Sequence, residues 1–146
     1  MSQLRRDEPQ QIRDVMTPNP ITLSESENVQ TAALAMREAD VGDVLVMRGD
    51  AVCGILTDRD IAVRFVADGR DPTATFIGEI CSADLTEVTP DEPVERAIEL
   101  MRFNAIRRLP VVEAGTPVGI VSLGDLASVR DPSSVLADIS AAPANT

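Results

Sequence analysis

The chain contains two copies of one segment, offset by 65 residues, and this internal repeat limits the folds available to it. At that offset, 10 of the 36 residues from Glu27 to Ala62 are identical to their counterparts. A long period that occurs only twice is typical of a duplicated supersecondary unit rather than a solenoid. Two copies that each lack a sufficient core should pack face to face, so that their matching polar residues line a cleft between them.

One helix of each copy is predicted from apolar residues that recur at the helical period. Ser26 is the predicted N-cap in the first copy and Asp91 in the second, since short polar side chains bond the exposed N–H groups there. The apolar positions are Val29, Ala32, Ala33 and Met36 in the first copy, and Val94, Ala97, Ile98 and Met101 in the second.

Each copy also predicts a β-hairpin, recognised from two apolar runs separated by turn residues. The strands cover residues 43–47 and 51–57 in the first copy, and 108–112 and 117–122 in the second. A short first strand is predicted at residues 86–88 of the second copy. A final helix follows each hairpin, over 58–69 and 123–129, and completes a βαββα order. The predicted class is therefore α+β, with the two repeats related by a pseudo-twofold axis and packed through their sheets.

These elements predict how the chain is divided. A polar arm covers residues 1–10, the first repeat 11–70, a linker 71–75 and the second repeat 76–130. A tail with one weak helix, at 134–139, covers 131–146. Short helical lead-ins at 12–16 and 76–80 begin the two repeats.

Composition excludes several classes of partner. The net charge of −11 is unsuited to a nucleic-acid polymer, which requires a basic surface. No apolar run approaches the ~20 residues of a membrane-spanning helix, and the first residues lack the apolar core of a signal peptide. Cys53 and Cys81 do not form a disulfide framework, which is typical of a cytoplasmic protein. We expect Cys53 to be buried and Cys81 to lie apart from it.

Composition also argues against catalysis. The chain has no histidine, and all 13 of its basic residues are arginine. A Ser-His or Cys-His nucleophile, a Schiff-base lysine and the lysine of a P-loop are therefore impossible. With no histidine and no cysteine pair at ligand spacing, no metal site is predicted. The sequence predicts neither an enzyme nor a required cofactor.

The strongest functional signal is the pattern Gly-x-x-[Thr/Ser]-x-x-Asp. In each copy it spans the junction between the third strand and the helix that follows. It occurs as Gly54–Asp60, with Thr57, and as Gly119–Asp125, with Ser122. A hydroxyl at a helix N-terminus lies beside unpaired N–H groups that favour anions. A carboxylate one turn later can accept hydrogen bonds from a sugar diol. The competing interpretation is a pair of simple helix caps.

Residues 12–129 resemble a tandem pair of CBS domains, also called a Bateman module. The resemblance rests on these two motifs, on the lead-ins Asp14-Val15-Met16-Thr17-Pro18 and Gly78-Glu79-Ile80, and on Arg107–Val112. Within the family, Leu56–Ile61 and the Asp71-Pro72 linker are similar to small stand-alone proteins of the actinobacterial hypoxic-response type.

The resemblance implies regulation by an adenine nucleotide-type ligand: AMP, ADP, ATP, S-adenosylmethionine or NAD(H). It implies that Asp60 holds the ribose hydroxyls and that Thr57 meets ribose or phosphate. It assigns the base to the backbone around Thr17, Pro18 and Ile21. The remaining implied ligand-binding residues are Arg59 and the pair Arg107 and Arg108, of which the pair approaches the phosphates.

The two implied clefts differ in charge. The Asp60 cleft would borrow Arg107 and Arg108, whose guanidinium groups suit phosphate. The cleft of Ser122 and Asp125 would instead borrow the counterparts 65 residues earlier, Gly42 and Asp43. We therefore expect the first cleft to bind nucleotide and the second to be degenerate.

Two functions remain open at this stage. The first is a regulatory module that binds a nucleotide, and the second is a ligand-free structural or protein-interaction dimer. A homodimer is expected in both cases, because Ile61, Val63, Phe65 and Val66 offer more apolar surface than one helix face can bury. The sequence does not identify a protein partner.

Overall fold

The computed structural model describes residues 10–81 and 85–130. The helices are α1 (Ile12–Val15), α2 (Val29–Ala39), α3 (Asp58–Asp60), α4 (Val94–Asn104) and α5 (Leu123–Arg130), with a π-helix at Ile61–Val66 and a 3₁₀ turn at Ile77–Glu79. The strands are β1 (Thr17–Pro18), β2 (Thr22–Ser24), β3 (Asp43–Arg48), β4 (Ala51–Thr57), β5 (Arg108–Glu113) and β6 (Thr116–Ser122). The predicted α+β class is confirmed.

The described residues form two compact units. The first-repeat unit comprises residues 19–81, 85 and 114–117, and the second-repeat unit comprises 10–18, 86–113 and 118–130. Each unit contains the lead-in of the other repeat. Ile77 and Ile80 pack into the core of the first-repeat unit, whereas Ile12 packs into that of the second. The compact units therefore differ from the sequence repeats at their N-terminal ends.

The first-repeat unit contains a three-stranded sheet in the order β2-β3-β4. β2 is parallel to β3, and β3 is antiparallel to β4, with a bulge between Val46 and Met47. Helix α2 buries Val29, Ala32 and Met36 against this core, as predicted, but Ala33 is exposed. Its N-cap is Asn28, whose Oδ1 accepts from the Thr31 amide at 2.8 Å. The prediction of Ser26 is wrong, because the Ser26 hydroxyl bonds that of Ser24 instead.

The second-repeat unit contains a sheet in the order β1-β6-β5. Helix α4 buries Val94, Ala97 and Met101, as predicted, but it begins after Pro93 rather than after Asp91. The Asp91 carboxylate accepts the Thr89 hydroxyl at 2.6 Å and does not cap the helix. The predicted strand at 86–88 is reduced to a single bridge between Val88 and Val111.

The segment after the first motif is only partly α-helical. Three α-helical residues are followed by the six-residue π-helix, which ends before Gly69 adopts a φ of +67°. Phe65 is 4% exposed and belongs to the core, so its expected contribution to a dimer surface is wrong. Val63 and Val66 are 55% and 63% exposed. The arm at 1–9 and the tail helix predicted at 134–139 lie outside the described residues.

Candidate functional site

Both motifs form the same reciprocal hydrogen-bond pair where a strand ends and a helix begins. The Thr57 amide donates to Asp60 Oδ2 at 2.9 Å, and the Asp60 amide donates to Thr57 Oγ1 at 3.0 Å. In the second motif, the Ser122 amide donates to Asp125 Oδ2 at 2.9 Å and the Asp125 amide to Ser122 Oγ at 3.1 Å. Each is a capping box, so the helix-cap interpretation holds in both copies. Because a carboxylate has about four acceptor positions, each aspartate keeps capacity for a ligand.

Asp60 has a further partner that the sequence reasoning missed. Its side chain is 14% exposed, and its Oδ1 lies 3.9 Å from Arg64 Nε, one turn along. The spacing i,i+4 alone could have predicted this pair. The residue at the equivalent position after Asp125 is Val129, so the sequence provides no such arginine there. The two motif aspartates therefore differ in local charge although their caps are identical.

In each unit, the residue just before strand β3 or β5 is hydrogen-bonded to the first residue of the helix that follows the hairpin, α3 or α5. The Asp58 amide donates to the Gly42 carbonyl at 3.0 Å, and the Leu123 amide donates to the Arg107 carbonyl at 2.8 Å. Arg107 is exposed and Arg108 is half-buried. The Arg107 backbone, just before β5, is therefore hydrogen-bonded to the start of α5.

Strand β1, which contains two of the predicted base-binding residues, pairs with β6, the strand that ends in the second motif. Thr17 pairs with Ile120 and Pro18 with Gly119, on the edge of β6. A Cβ at Gly119 would lie 2.9 Å from the Thr17 carbonyl oxygen and 2.6 Å from Met16 Sδ. The motif glycine is therefore required for β1 to approach β6, a structural role that the sequence reasoning did not assign.

The predicted site residues fall in both units. The first-repeat unit holds Ile21, Thr57, Arg59 and Asp60, and the second-repeat unit holds Thr17, Pro18, Arg107, Arg108, Ser122 and Asp125. Ile21 is half-buried, and its carbonyl accepts from the Leu45 amide at 2.8 Å. Arg59 is exposed at the N-terminus of α3. The assembly of these groups into one cleft stays a prediction.

Both cysteines border the core of the first-repeat unit, which corrects the expectation that they lie apart. Cys53 and Cys81 are half-buried free thiols. Burial raises the pKa of both thiols, and the neighbouring Glu25 carboxylate raises that of Cys53 further. Cys81 reaches this core because the second lead-in packs there. Neither thiol has the lowered pKa of a reactive cysteine.

Two structural findings limit what else the described residues contain. Across residues 10–81 and 85–130, no three His, Cys, Asp or Glu side chains are grouped so that they could hold a metal ion. None of the helices in that part of the chain has the length and hydrophobicity that a membrane crossing requires.

The sequence profile of the CBS domain matches this chain twice, at residues 12–67 and 77–131. The chain belongs to the CBS-domain family. It is 42% identical over 116 residues to the CBS domain-containing protein YhcV of Bacillus subtilis, covering 80% of this chain and 82% of YhcV. It is 33% identical to Hypoxic response protein 1 of Mycobacterium tuberculosis, covering 79% and 81%. The resemblance to the hypoxic-response type is thereby confirmed.

Two solved structures share the CBS fold. A crystal structure of Hypoxic Response Protein I with two coordinated zinc ions superposes with a TM-score of 0.72, at 32% identity, covering 81% of this chain and 97% of that one. The CBS domain pair of MJ0100, in complex with 5′-methylthioadenosine and S-adenosyl-L-methionine, gives a TM-score of 0.75 at 24% identity, covering 87% and 100%. The latter likeness shows the fold alone.

Proposed function

We propose that this CBS pair is a regulatory module that binds an adenine nucleotide-type ligand at the first motif. The observation that carries the proposal is the Thr57–Asp60 pair. The pair lies at the start of a helix, where the Asp60 side chain is 14% exposed; its Oδ2 makes the cap bond, and its Oδ1 lies 3.9 Å from Arg64 Nε. A half-buried carboxylate with unused acceptor capacity suits the two hydroxyls of a ribose. The MJ0100 pair, which shares the fold, binds adenosine compounds, so the fold can accommodate this class of ligand.

The proposed roles follow the chemistry of each group. Asp60 accepts the ribose hydroxyls, and Thr57 meets the ribose or the first phosphate. The backbone at Thr17, Pro18 and Ile21 contacts the base. Cations complete the site at the phosphates, because guanidinium groups form paired hydrogen bonds with phosphate oxygens. These cations are Arg59, Arg107 and Arg108.

The second motif is the weaker candidate. It has Gly124 where the first has Arg59, and the counterparts of the two arginines are Gly42 and Asp43. A carboxylate at that position repels a phosphate. Ser122 and Asp125 are therefore proposed to form a degenerate cleft.

The broader proposal is a cytoplasmic homodimer that is not an enzyme and requires no cofactor or nucleic-acid partner. The exposed Val63 and Val66 support self-association, since large apolar side chains at 55% and 63% exposure are costly to leave in water. Light scattering at tens of micromolar tests it. A dimer mass is expected, and a monomer mass would contradict it.

A ligand-free scaffold is the second candidate, and the capping boxes favour it. Because each motif already pairs its hydroxyl and carboxylate within the helix turn, neither needs a ligand to be satisfied. In that case the dimer surface would be the functional part of the molecule, and a protein would be its partner.

A thermal-shift screen separates the two candidates. A ligand that binds only the native state raises the unfolding temperature by mass action. AMP, ATP, S-adenosylmethionine and NADH are the probes, with guanosine triphosphate as a control for non-specific phosphate binding. Zinc chloride is a further arm because of the zinc ions in Hypoxic Response Protein I. A shift with an adenine compound alone supports the nucleotide sensor, and no shift with any of them supports the scaffold.

A further inference from the structure

Arg64 is a cation beside the first motif that has no role in the nucleotide site proposed above. Its Nε lies 3.9 Å from Asp60 Oδ1, the carboxylate oxygen that does not make the cap bond. This is an ion-pair distance but is longer than a hydrogen bond, so the lone pairs of Oδ1 stay available to a ligand. The Arg64 side chain is 53% exposed and can therefore reach a ligand as well.

The backbone that carries Arg64 departs from α-helical geometry. Asp60 is the last residue of α3, and Arg64 lies in the π-helix Ile61–Val66 that follows it. π-helices are rare and occur frequently at functional sites. The neighbouring Phe65 is buried in the core of the first-repeat unit, so this turn is anchored and Arg64 is held on its outer side. The equivalent positions of the second repeat, 126–130, belong to the regular helix α5.

The charge beside Asp60 determines which ribose the first motif can accept. A carboxylate alone accepts the two hydroxyls of an unsubstituted ribose, and it repels a phosphate attached to either of them. A neighbouring guanidinium reverses that repulsion, because it forms paired, charge-assisted hydrogen bonds with phosphate oxygens. Dinucleotide-binding folds use this chemistry: an acidic side chain selects the free ribose 2′-hydroxyl, whereas a nearby arginine accommodates a 2′-phosphate.

The position of Arg64 favours the diol edge of the ribose over the 5′-phosphate. If Asp60 Oδ1 accepts a ribose hydroxyl, the Arg64 guanidinium lies beside that hydroxyl, since its Nε is within 4 Å of the same oxygen. The 5′-phosphate is attached to C5′, away from the two hydroxyls. The cations already proposed to meet the 5′-phosphates are Arg59, Arg107 and Arg108. Arg64 is therefore placed for a substituent of the diol itself.

We propose that Arg64 binds a phosphate carried on the ribose 2′- or 3′-oxygen, while Asp60 accepts the hydroxyl that remains. The ligand class is an adenosine that is phosphorylated on its ribose diol, as in adenosine 2′,5′-bisphosphate and adenosine 3′,5′-bisphosphate. The inference rests on the proposed ribose role of Asp60 and adds the substituent that the site accepts. The second motif has Val129 at the equivalent position, so the sequence supplies no such cation there.

Calorimetric titration with isomeric ligands tests this role. The probes are the two bisphosphates, which separate the 2′ from the 3′ position, together with AMP and ADP. ADP also has two phosphates, but both are on the 5′-oxygen, so it controls for charge. Arg64→Gln removes the cation, and Arg64→Lys keeps the charge without the planar guanidinium. Arg37→Gln, at an exposed arginine of α2 outside the motif, is the matched control for the loss of one positive charge.

The wild type is expected to bind at least one of the bisphosphates more tightly than AMP. Arg64→Gln should weaken binding of that bisphosphate on the order of tenfold or more, because charge-assisted hydrogen bonds to its ribose phosphate are lost. The same variant should leave ADP binding nearly unchanged. Arg64→Lys should lie between Arg64→Gln and the wild type, and Arg37→Gln should match the wild type with every probe.

Three results would overturn the inference, and they differ in what they say of the proposed function. A wild type that binds none of the four probes rejects the nucleotide site and the role of Arg64 together. A wild type that binds AMP and ADP but binds both bisphosphates more weakly keeps the nucleotide site and rejects the role of Arg64. Equal losses for ADP and the bisphosphates in Arg64→Gln, with folding confirmed by circular dichroism, also reject a specific contact with the ribose phosphate.

Discussion

The Thr57 amide donates to the Asp60 carboxylate at 2.9 Å while the Asp60 amide donates back to the Thr57 hydroxyl at 3.0 Å. This reciprocal pair fixes the carboxylate one turn into the helix before any ligand arrives. Ser122 and Asp125 repeat it. The groups proposed to bind a nucleotide are therefore also the groups that start the helix.

Removing the first cap should destabilise the protein without any ligand present. Thr57→Ala is expected to lower the free energy of unfolding by about 1 kcal/mol, because the Asp60 amide loses its acceptor. Thr57→Ser keeps the hydroxyl and should cost much less. Urea denaturation measures both. Equal losses for the two variants would show that the methyl group, not the cap, is responsible.

Gly119→Ala should separate strand β1 from β6. The new methyl group would lie 2.9 Å from the Thr17 carbonyl oxygen, which is backbone and cannot rotate away. We expect a loss of about 1–3 kcal/mol, typical of overpacking. Gly42→Ala is the matched control, because its nearest atom is a carboxylate oxygen of Asp58 at 3.1 Å that can move. A smaller loss at Gly119 than at Gly42 would contradict the packing argument.

Glu79 should contribute to the loss of stability in acid. Its carboxylate accepts from the Phe76 amide at 2.9 Å, and this bond, followed by that from Arg70 at 2.7 Å, lowers the Glu79 pKa. A carboxyl group whose pKa is lower in the folded state than in the unfolded state stabilises the fold at pH values above its unfolded pKa. That contribution to stability disappears as the pH falls through the folded-state pKa.

Urea denaturation between pH 7 and pH 3 checks this contribution. Wild type should lose stability below roughly pH 4.3, the ordinary value for a glutamate, and Glu79→Gln should lose less over the same interval. Glu99→Gln, on the exposed side of α4, provides a comparison. Identical pH profiles for wild type and Glu79→Gln would show that these bonds do not matter.

The repeat predicted much of the fold because each copy had to form the same elements. Helix α4 buries Val94, Ala97 and Met101 as its period requires. The strand predicted at 86–88 of the second copy is reduced to one bridge, because only Val88 of that segment pairs with β5. Ser26 failed as a cap because Asn28 lies nearer the helix and bonds the Thr31 amide. Spacing locates a helix, whereas competition between neighbouring polar side chains decides where it begins.

The sequence predicted the local part of the candidate site but not the packing around it. The motifs located Thr57, Asp60, Ser122 and Asp125 at strand–helix junctions, since that geometry is local. The exchange of lead-ins was not predicted, because residue spacing does not say which repeat a short helix packs on. For the same reason, Cys81 was not expected at the core that Cys53 also borders.

The arginines should distinguish phosphate from nucleoside. Arg107→Ala with Arg108→Ala is expected to weaken ATP binding on the order of tenfold or more, because charge-assisted bonds to phosphate are lost. Adenosine binding should change little. Calorimetry with both compounds measures the difference. An equal loss for ATP and adenosine would show that these arginines act through the fold.

Calorimetric titration of ATP into wild type, Asp60→Asn and Asp125→Asn tests the proposal that the first motif binds the nucleotide. Asparagine keeps an acceptor for the Thr57 or Ser122 amide but removes the charge that holds the ribose. Asp60→Asn is expected to weaken ATP binding on the order of tenfold, as for the loss of a hydrogen bond to a charged group, while Asp125→Asn should leave it nearly unchanged. Loss of binding in Asp125→Asn with an intact Asp60→Asn, or no binding by wild type, would contradict it.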